Sequence, residues 1–191
     1  MDPFEYVVVL TSLIIGLGIA QILTGFADVL SNLKNTKIYL PHILFTVVIF
    51  LLLIQEWWIN YQYATEIDSW TLKTVLAILA YPILLFVMAR MIFPTGIRGN
   101  ETDFKEYYFD QWRYIFIIGF AKVGVSIIQN IVISNATLLS LWPQFLYGAA
   151  YAAFVIFNIK QPKAHLAFQI ITFLVTVGYI IINGDELMAY L

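Results

Sequence analysis

The stretch that decides the fold is FEYVVVLTSLIIGLGIAQILTGFAD, residues 4–28, which has no charged side chain between Glu5 and Asp28. An α-helix rises about 1.5 Å per residue, so this stretch is long enough to cross the roughly 30 Å hydrocarbon core of a bilayer. In lipid, a helix satisfies its own backbone hydrogen bonds, which a single strand cannot do. Residues 4–28 are therefore predicted to form a membrane-spanning helix.

Further apolar stretches of similar length follow along the chain. With the first, the predicted spans are 4–28, 39–60, 71–93, 113–133, 138–158 and 164–183. The composition agrees, since 61% of the residues are hydrophobic and only 12% are charged, well outside the range of soluble domains. The predicted fold class is therefore all-α: a single transmembrane domain over 1–191, forming a polytopic bundle of about six helices in the lipid bilayer.

The basic residues are distributed unequally between the two predicted sides of the membrane. Loops one, three and five, with their flanks, hold Lys34, Lys37, Arg90, Arg98, Lys105, Arg113, Lys160 and Lys163. Loops two and four and both tails hold only Lys73. Because basic residues are retained on the cytoplasmic side, both termini are predicted to be non-cytoplasmic.

A short similarity links the second and fifth spans. Residues 39–45 read YLPHILF and residues 141–147 read LWPQFLY, and each places a proline in the first helical turn, where its missing N–H costs no hydrogen bond. With three spans in each half, the similarity predicts an inverted repeat of 1–93 and 113–191, the plan of many transporters. The alternative is chance, because proline followed by bulky apolar residues is common in membrane helices.

Lys122 lies near the middle of the fourth span. With Gly119, Ser126 and Gln129 it forms one helical face, since residues three and four apart share a face. Ionisable side chains at this depth are costly and usually mark function, so one interpretation is an ion or substrate pathway. The other is that Lys122 snorkels or pairs with a carboxylate for structural reasons.

Glu56 is the one acidic residue well inside a predicted span, and it is the predicted partner of Lys122. It stands beside Trp57 and Trp58, which together with Trp70 are typical of the aromatic belt at a membrane interface. The alternative interpretation is therefore that Glu56 is solvated at the outer interface.

Small and polar residues form a stripe along the first span. Its members are Thr11, Gly18, Gln21, Gly25 and Asp28, with Gly16 close by. Such a stripe is typical of close helix packing with interhelical hydrogen bonds, and a permeation lining is the alternative. Asp28, at the cytoplasmic end, is predicted to pair with Arg90 or Arg113.

Ligands for a cofactor are scarce in this sequence. His42 and His165 both open spans at the predicted cytoplasmic face, and there is no cysteine. A haem needs two axial ligands and a di-metal site needs several carboxylates or histidines at matched depth. We therefore expect no cofactor, no metal site and no enzymatic activity, with an intramembrane enzyme or electron carrier as the remote alternative. The net charge of −2 also argues against nucleic acid as a partner.

Several short motifs occur between residues 10 and 115. They are Gly16-Leu17-Gly18-Ile19, Pro41-His42, Trp57-Trp58, Phe93-Pro94, and Tyr107-Tyr108-Phe109 with Arg113. This set resembles a family of small bacterial multi-pass membrane proteins with no assigned function, although Glu56 stands where a neutral residue would be expected. The resemblance implies a bacterial inner-membrane location, implies nothing about chemistry, and suggests Tyr108 and Arg113 as positions to mutate.

Two functional hypotheses follow. The first is a small homo-oligomeric channel or transporter for an ion, a proton or a small solute. Its pathway residues would be Glu56, Lys122, Ser126 and Gln129, with Asp28 and Arg113 near the inner mouth. The second is a non-transporting subunit that anchors or senses for a membrane or cytoplasmic protein partner, including one in a bacterial defence or stress system. Its best feature is the aromatic and acidic segment 101–113, which overlaps the stretch 94–112 predicted to form an amphipathic surface segment.

Overall fold

The computed structural model describes residues 3–60, 63, 67 and 69–183. Within them the helices are α1 (Pro3–Ser31), α2 (Leu40–Ile59), α3 (Leu72–Ile92), α4 (Phe104–Val132), α5 (Trp142–Ile156) and α6 (Pro162–Asn183). Five of these, all but α5, are long and apolar enough to cross a membrane. The prediction of an all-α, multi-pass membrane bundle is therefore confirmed.

Helix α5 is shorter than the predicted span 138–158. Residues 138–141 form turns before the helix, and Asn158 adopts a positive φ of 48° just after it. The chain nevertheless recrosses the bundle here, because Tyr108 near the start of α4 bonds to His165 near the start of α6. The starts of α4 and α6 thus lie at the same level, with α5 and its flanking turns between them.

Helix α4 begins nine residues before the predicted limit of 113. The Asp103 carboxylate accepts the backbone N–H groups of Lys105 and Glu106, at 2.9 and 3.2 Å, which caps the new helix start. Phe104, Tyr108 and Trp112, spaced four apart, are all buried. The prediction of a separate surface segment is therefore wrong over 104–112, because the aromatic face of this segment packs into the bundle.

The loops after α1 and α3 are joined to each other at one end of the bundle. A 3-10 helix (Leu33–Asn35) leads into strand β1 (Thr36–Lys37), which pairs in parallel with strand β2 (Thr102–Asp103). The Asn32 side-chain amide donates to two carbonyls of the second loop, at Ile97 and Asn100. We call this end, formed by loops 32–39, 93–103 and 157–161, the basic end.

Helix α2 lies at the centre of the bundle. It contacts α1, α3, α4 and α6, while α3 also packs on α1 and α4, and α4 packs on α5. The core between them is apolar and aromatic, and many large apolar side chains on the outside, such as Leu13 and Ile171, are exposed. A helix bundle with an apolar exterior is suited to lipid.

The small residues of α1 pack against neighbouring helices. A Cβ at Gly18 would lie 3.0 Å from the Leu53 side chain, and a Cβ at Gly25 would overlap the ring of Phe93. Gly16 differs, because it has no neighbour within 4 Å. Both glycines of the predicted stripe thus allow close approach of α1 to α2 and to the end of α3, while Gly16 beside the stripe does not serve this purpose.

Candidate intramembrane polar site

Glu56 and Lys122 are buried in the interior of the bundle. Glu56 is in the last turn of α2, Lys122 is in α4, and each is only 4% exposed. The interpretation of Glu56 as a solvated interface residue is wrong, because this face of α2 points inward while Trp57 beside it points out. The two groups interact electrostatically, but they do not form an ion pair within 4.0 Å. The ion pairs within that distance among the described residues are Lys37–Asp103 and Arg98–Asp28.

The Lys122 ammonium group is held between two tyrosine rings. Its Nζ lies 5.7 Å from the ring centre of Tyr81 on α3 and 5.8 Å from that of Tyr147 on α5. Aromatic faces attract cations most strongly where water is excluded. The Tyr147 hydroxyl in turn lies 3.0 Å from that of Tyr151 and donates to Thr172 Oγ1 at 3.3 Å.

One face of α2 carries buried polar atoms that lack hydrogen bonds. Among the described residues, neither Glu56 Oε1 nor the Asn60 side-chain amide nitrogen has a partner. These residues are four apart, so they lie on the same side of the helix. Because unsatisfied buried polar groups are costly, Glu56 Oε1 is an acceptor that remains available to a proton or to a donor.

Gln129, predicted as a pathway residue, has a packing role in the structure. Pro82 lies inside α3 and has no N–H to give to the carbonyl of Ile78, four residues earlier. The Gln129 amide of α4 donates to the carbonyls of Ala77 and Ile78, at 2.8 and 3.4 Å. Its burial is therefore explained by a backbone gap on the neighbouring helix.

Asp28 pairs with Arg98, at 2.6 Å, so the prediction of Arg90 or Arg113 as its partner is wrong. Loop 93–103 folds over the end of α1 and brings Arg98 to Asp28, whereas Arg113 is exposed on the outer side of α4. Asp28 thus lies at the basic end, whereas Arg113 is about halfway along α4 between its start and Lys122.

The other residues singled out from the sequence form no hydrogen bond or ion pair with Glu56 or Lys122 among the described residues. Ser126 is half-buried one turn beyond Lys122, and Gln21 is half-buried on α1. Trp57 is exposed, as a belt residue would be, while Trp58 and Trp70 are half-buried. The Trp70 ring lies 6.0 Å from that of Phe4.

A buried polar stripe on α6 was not predicted from the sequence. His165, Gln169, Thr172 and Thr176 are each 8% exposed or less. Their spacing of four, three and four places them on one face, and this spacing was the available signal. Each residue alone is unremarkable in an apolar helix, which is why hydropathy does not reveal the stripe.

Both histidines bond to backbone carbonyls. His42 Nε2 lies 2.8 Å from the carbonyl of Ile92, and His165 Nε2 lies 2.8 Å from that of Ile159. Within the part of the chain that the structure describes, no group of three or more His, Asp or Glu side chains is placed to hold a metal ion. The described histidines thus serve as hydrogen-bonding groups of the bundle.

No protein-family model, curated protein or solved structure matches this chain. The likeness to small bacterial membrane proteins consequently rests on the short motifs alone and stays a prediction. The chemistry of the buried polar groups is therefore the basis for assigning a function.

Proposed function

We propose that the protein moves protons across the membrane, with Glu56 and Lys122 as the groups that take up and release them. One observation carries the proposal: two side chains of opposite charge lie in the membrane bundle, each 4% exposed, without an ion pair within 4.0 Å between them. Ionisable groups at membrane depth are costly and mark ion pathways and proton relays. A pair kept only for structure would gain most from direct hydrogen bonding.

The burial of the pair favours a proton over a larger substrate. Glu56 and Lys122 are each 4% exposed, and the Lys122 Nζ lies 5.7 and 5.8 Å from two tyrosine ring centres. A proton needs only acceptor atoms at suitable positions. The hypothesis of a channel or transporter is therefore narrowed to proton transfer.

The two groups have complementary roles in this proposal. The Glu56 carboxylate accepts a proton at the oxygen that lacks a hydrogen bond, which removes its charge. It then gives that proton to a deprotonated Lys122 amine, whose ammonium form is stabilised by the rings of Tyr81 and Tyr147. Because the groups are not directly bonded, transfer requires movement of the flexible four-carbon stem of Lys122.

The cellular setting is part of the same proposal. The motif resemblance supports the inner membrane of a bacterium as the location. Homo-oligomer formation, predicted from the sequence, is not required for proton transfer, because Glu56, Lys122 and the tyrosines that surround them belong to one chain.

Proton uptake by reconstituted vesicles tests the proposal. Vesicles loaded with potassium and a pH-sensitive dye are given valinomycin, so that an inward proton movement is driven electrically. We expect wild-type protein to acidify the interior, and Glu56→Gln and Lys122→Gln to reduce the initial rate by roughly a hundredfold, or to the leak of protein-free vesicles.

Matched surface variants separate the site from a general effect of charge. Glu106 and Lys163 are exposed, so Glu106→Gln and Lys163→Gln remove the same charges without touching the pair and should keep the wild-type rate. If vesicles with wild-type protein take up protons no faster than vesicles with Lys122→Gln, the proposal is wrong.

A further inference from the structure

The polar stripe of α6 runs from the neighbourhood of Lys122 to the basic end of the bundle. Thr172 accepts the hydroxyl of Tyr147, whose ring faces Lys122. One and two turns earlier, Gln169 and His165 lie on the same face of α6 and are buried. Buried polar side chains in a membrane helix need partners. This stripe and its partners form two hydrogen-bonded groups that follow one another along α6 and that we together call the series: Thr172 with Tyr147 and Tyr151, and Gln169 with Tyr108 and His165.

The lower part of the series is a network of three side chains. The Gln169 amide donates to the Tyr108 hydroxyl oxygen at 3.2 Å, and that hydroxyl lies 3.0 Å from His165 Nδ1. His165 Nε2 faces the carbonyl of Ile159, so this nitrogen carries the hydrogen and Nδ1 accepts from Tyr108. The network therefore has a defined direction, from Gln169 through Tyr108 and His165 to Ile159.

The network ends beside solvent. Ile159 belongs to loop 157–161 at the basic end, next to the exposed Gln161 and Lys163. The His165 ring itself is enclosed by aromatic rings of α4 and α5, including Trp112, Phe116 and Phe154. An imidazole in this position is an exchangeable proton carrier between the bundle interior and the loop.

We propose that this series is the inner branch of the proton path, with Tyr108 and His165 as the exchange groups at the basic end. The inference rests on the proposed function and adds the route by which the proton leaves Lys122. Through a bridging water, the Tyr147 hydroxyl takes the proton from the Lys122 ammonium and releases its own to Thr172 Oγ1, and Thr172 passes its own hydrogen through a second water to Tyr108. His165 then takes a proton on Nδ1 from Tyr108 and loses the one on Nε2 to a solvent water at loop 157–161. Lys122 thus becomes a neutral amine, while each hydroxyl and the imidazole end with the number of protons they began with.

Two steps of the route have no direct hydrogen bond among the described residues. Lys122 Nζ lies 5.8 Å from the ring centre of Tyr147, and Thr172 is not bonded to Tyr108. We assign each of these steps to a water molecule taken up during transfer. The steps from Tyr147 to Thr172 and from Tyr108 to His165 follow hydrogen bonds that exist in the structure.

Two matched pairs of variants test the inner branch in the same vesicle assay. Tyr108→Phe removes a bonded hydroxyl, while Tyr39→Phe removes a buried hydroxyl without a partner in the described residues whose ring lies 5.5 Å from that of Tyr108. Thr172→Val removes the acceptor of Tyr147, while Thr11→Val removes an equally buried hydroxyl that bonds within α1. Within each pair the same chemical group is removed, in each case a buried hydroxyl, and the two variants differ in membership of the series.

We expect Tyr108→Phe to lower the initial rate of proton uptake by about tenfold or more, with a smaller loss for Thr172→Val. Both control variants should keep the wild-type rate. Circular dichroism and size exclusion establish that equal amounts of folded protein are compared, and Thr172→Val serves where Tyr108→Phe does not fold.

The outcomes distinguish this inference from the proposed function. A wild-type rate in Tyr108→Phe and Thr172→Val, with the rate still abolished by Glu56→Gln, overturns the inner branch and leaves the proposed function standing. Equal losses in test and control variants also overturn it, because membership of the series would then not matter. A wild-type protein without proton uptake overturns both.

Discussion

Two buried polar clusters in the same bundle differ in how completely they are bonded. Tyr108, His165 and Gln169 form a neutral network in which the hydroxyl and both ring nitrogens have partners. Glu56 and Lys122 carry opposite charges, and Glu56 Oε1 lacks a partner among the described residues.

This difference illustrates two ways in which polar side chains are accommodated in the interior of a membrane helix bundle. A complete network costs little, because every donor has found an acceptor, and its order makes it a suitable proton relay. A charged cluster with an unpaired acceptor costs folding free energy. That cost is explained if the cluster binds and releases a proton. The comparison thus points to Glu56 and Lys122 as the site where the protonation state changes.

Breaking the charged cluster should give the largest effect on stability. Lys122→Met leaves the carboxylate of Glu56 buried without a counter-charge, so we expect a loss of roughly 3–5 kcal/mol in the free energy of unfolding. Reversible unfolding in mixed micelles measures it. A loss below about 1 kcal/mol would show that the two charges do not depend on each other.

The double variant sharpens the same comparison. Glu56→Gln combined with Lys122→Met removes both charges, so most of the stability should return while proton uptake stays absent. A recovery of stability without recovery of transport assigns the pair to function. If the double variant remains as unstable as Lys122→Met, the pair is a structural element of the core.

A smaller effect is expected at Gln129, which belongs to the completely bonded class. Gln129→Ala leaves the carbonyls of Ala77 and Ile78 without its amide, at a cost of about 1–3 kcal/mol. Proton uptake per folded molecule should not change. In a Pro82→Ala background the helix supplies its own N–H to the carbonyl of Ile78, so Gln129→Ala should lower the free energy of unfolding by less. Equal losses in both backgrounds would contradict the assignment of Gln129 to the gap left by Pro82.

The smallest effect is expected outside the membrane, at the cap of α4. The backbone N–H of Glu106, helped by that of Lys105 and by the charges of Lys37 and Lys105, lowers the pKa of Asp103 below its ordinary value despite partial desolvation. A lowered pKa means that the cap stabilises the fold above the pKa of an unfolded aspartate and loses this effect as the pH falls through the folded value. The melting temperature of wild type should therefore exceed that of Asp103→Ala at neutral pH, and the difference should narrow in acid. A difference that is constant with pH would rule out the carboxylate as its source.

Much of the fold followed from the sequence. Spans 39–60, 71–93 and 164–183 agree with α2, α3 and α6 to within two residues at each end, because long apolar stretches have few alternatives in lipid. The start of α4 was missed, since charges at Glu106 and Asp110 lower the hydropathy of a turn whose aromatic face is buried. The short α5 was overestimated, because the turns at 138–141 are as apolar as a helix.

The site was predicted in part. Lys122 and Glu56 stand out because charges are rare in apolar spans, and their burial depends only on which way two helices face. The partners of Asp28 and Gln129 depend on how a loop folds and on a carbonyl freed by Pro82, which periodicity does not encode. The α6 stripe consists of neutral residues, so it has a spacing signal but no hydropathy signal.

The central claim is that the particle taken up at Glu56 is a proton, and a null-point measurement tests it most directly. In valinomycin-treated vesicles, uptake should stop when the pH gradient balances the potassium potential, which for one charge per proton is about 59 mV per pH unit. Changing sodium or chloride at constant potential should leave this null point in place. A null point that follows another ion, or an uptake that Glu56→Gln does not reduce, would contradict the account.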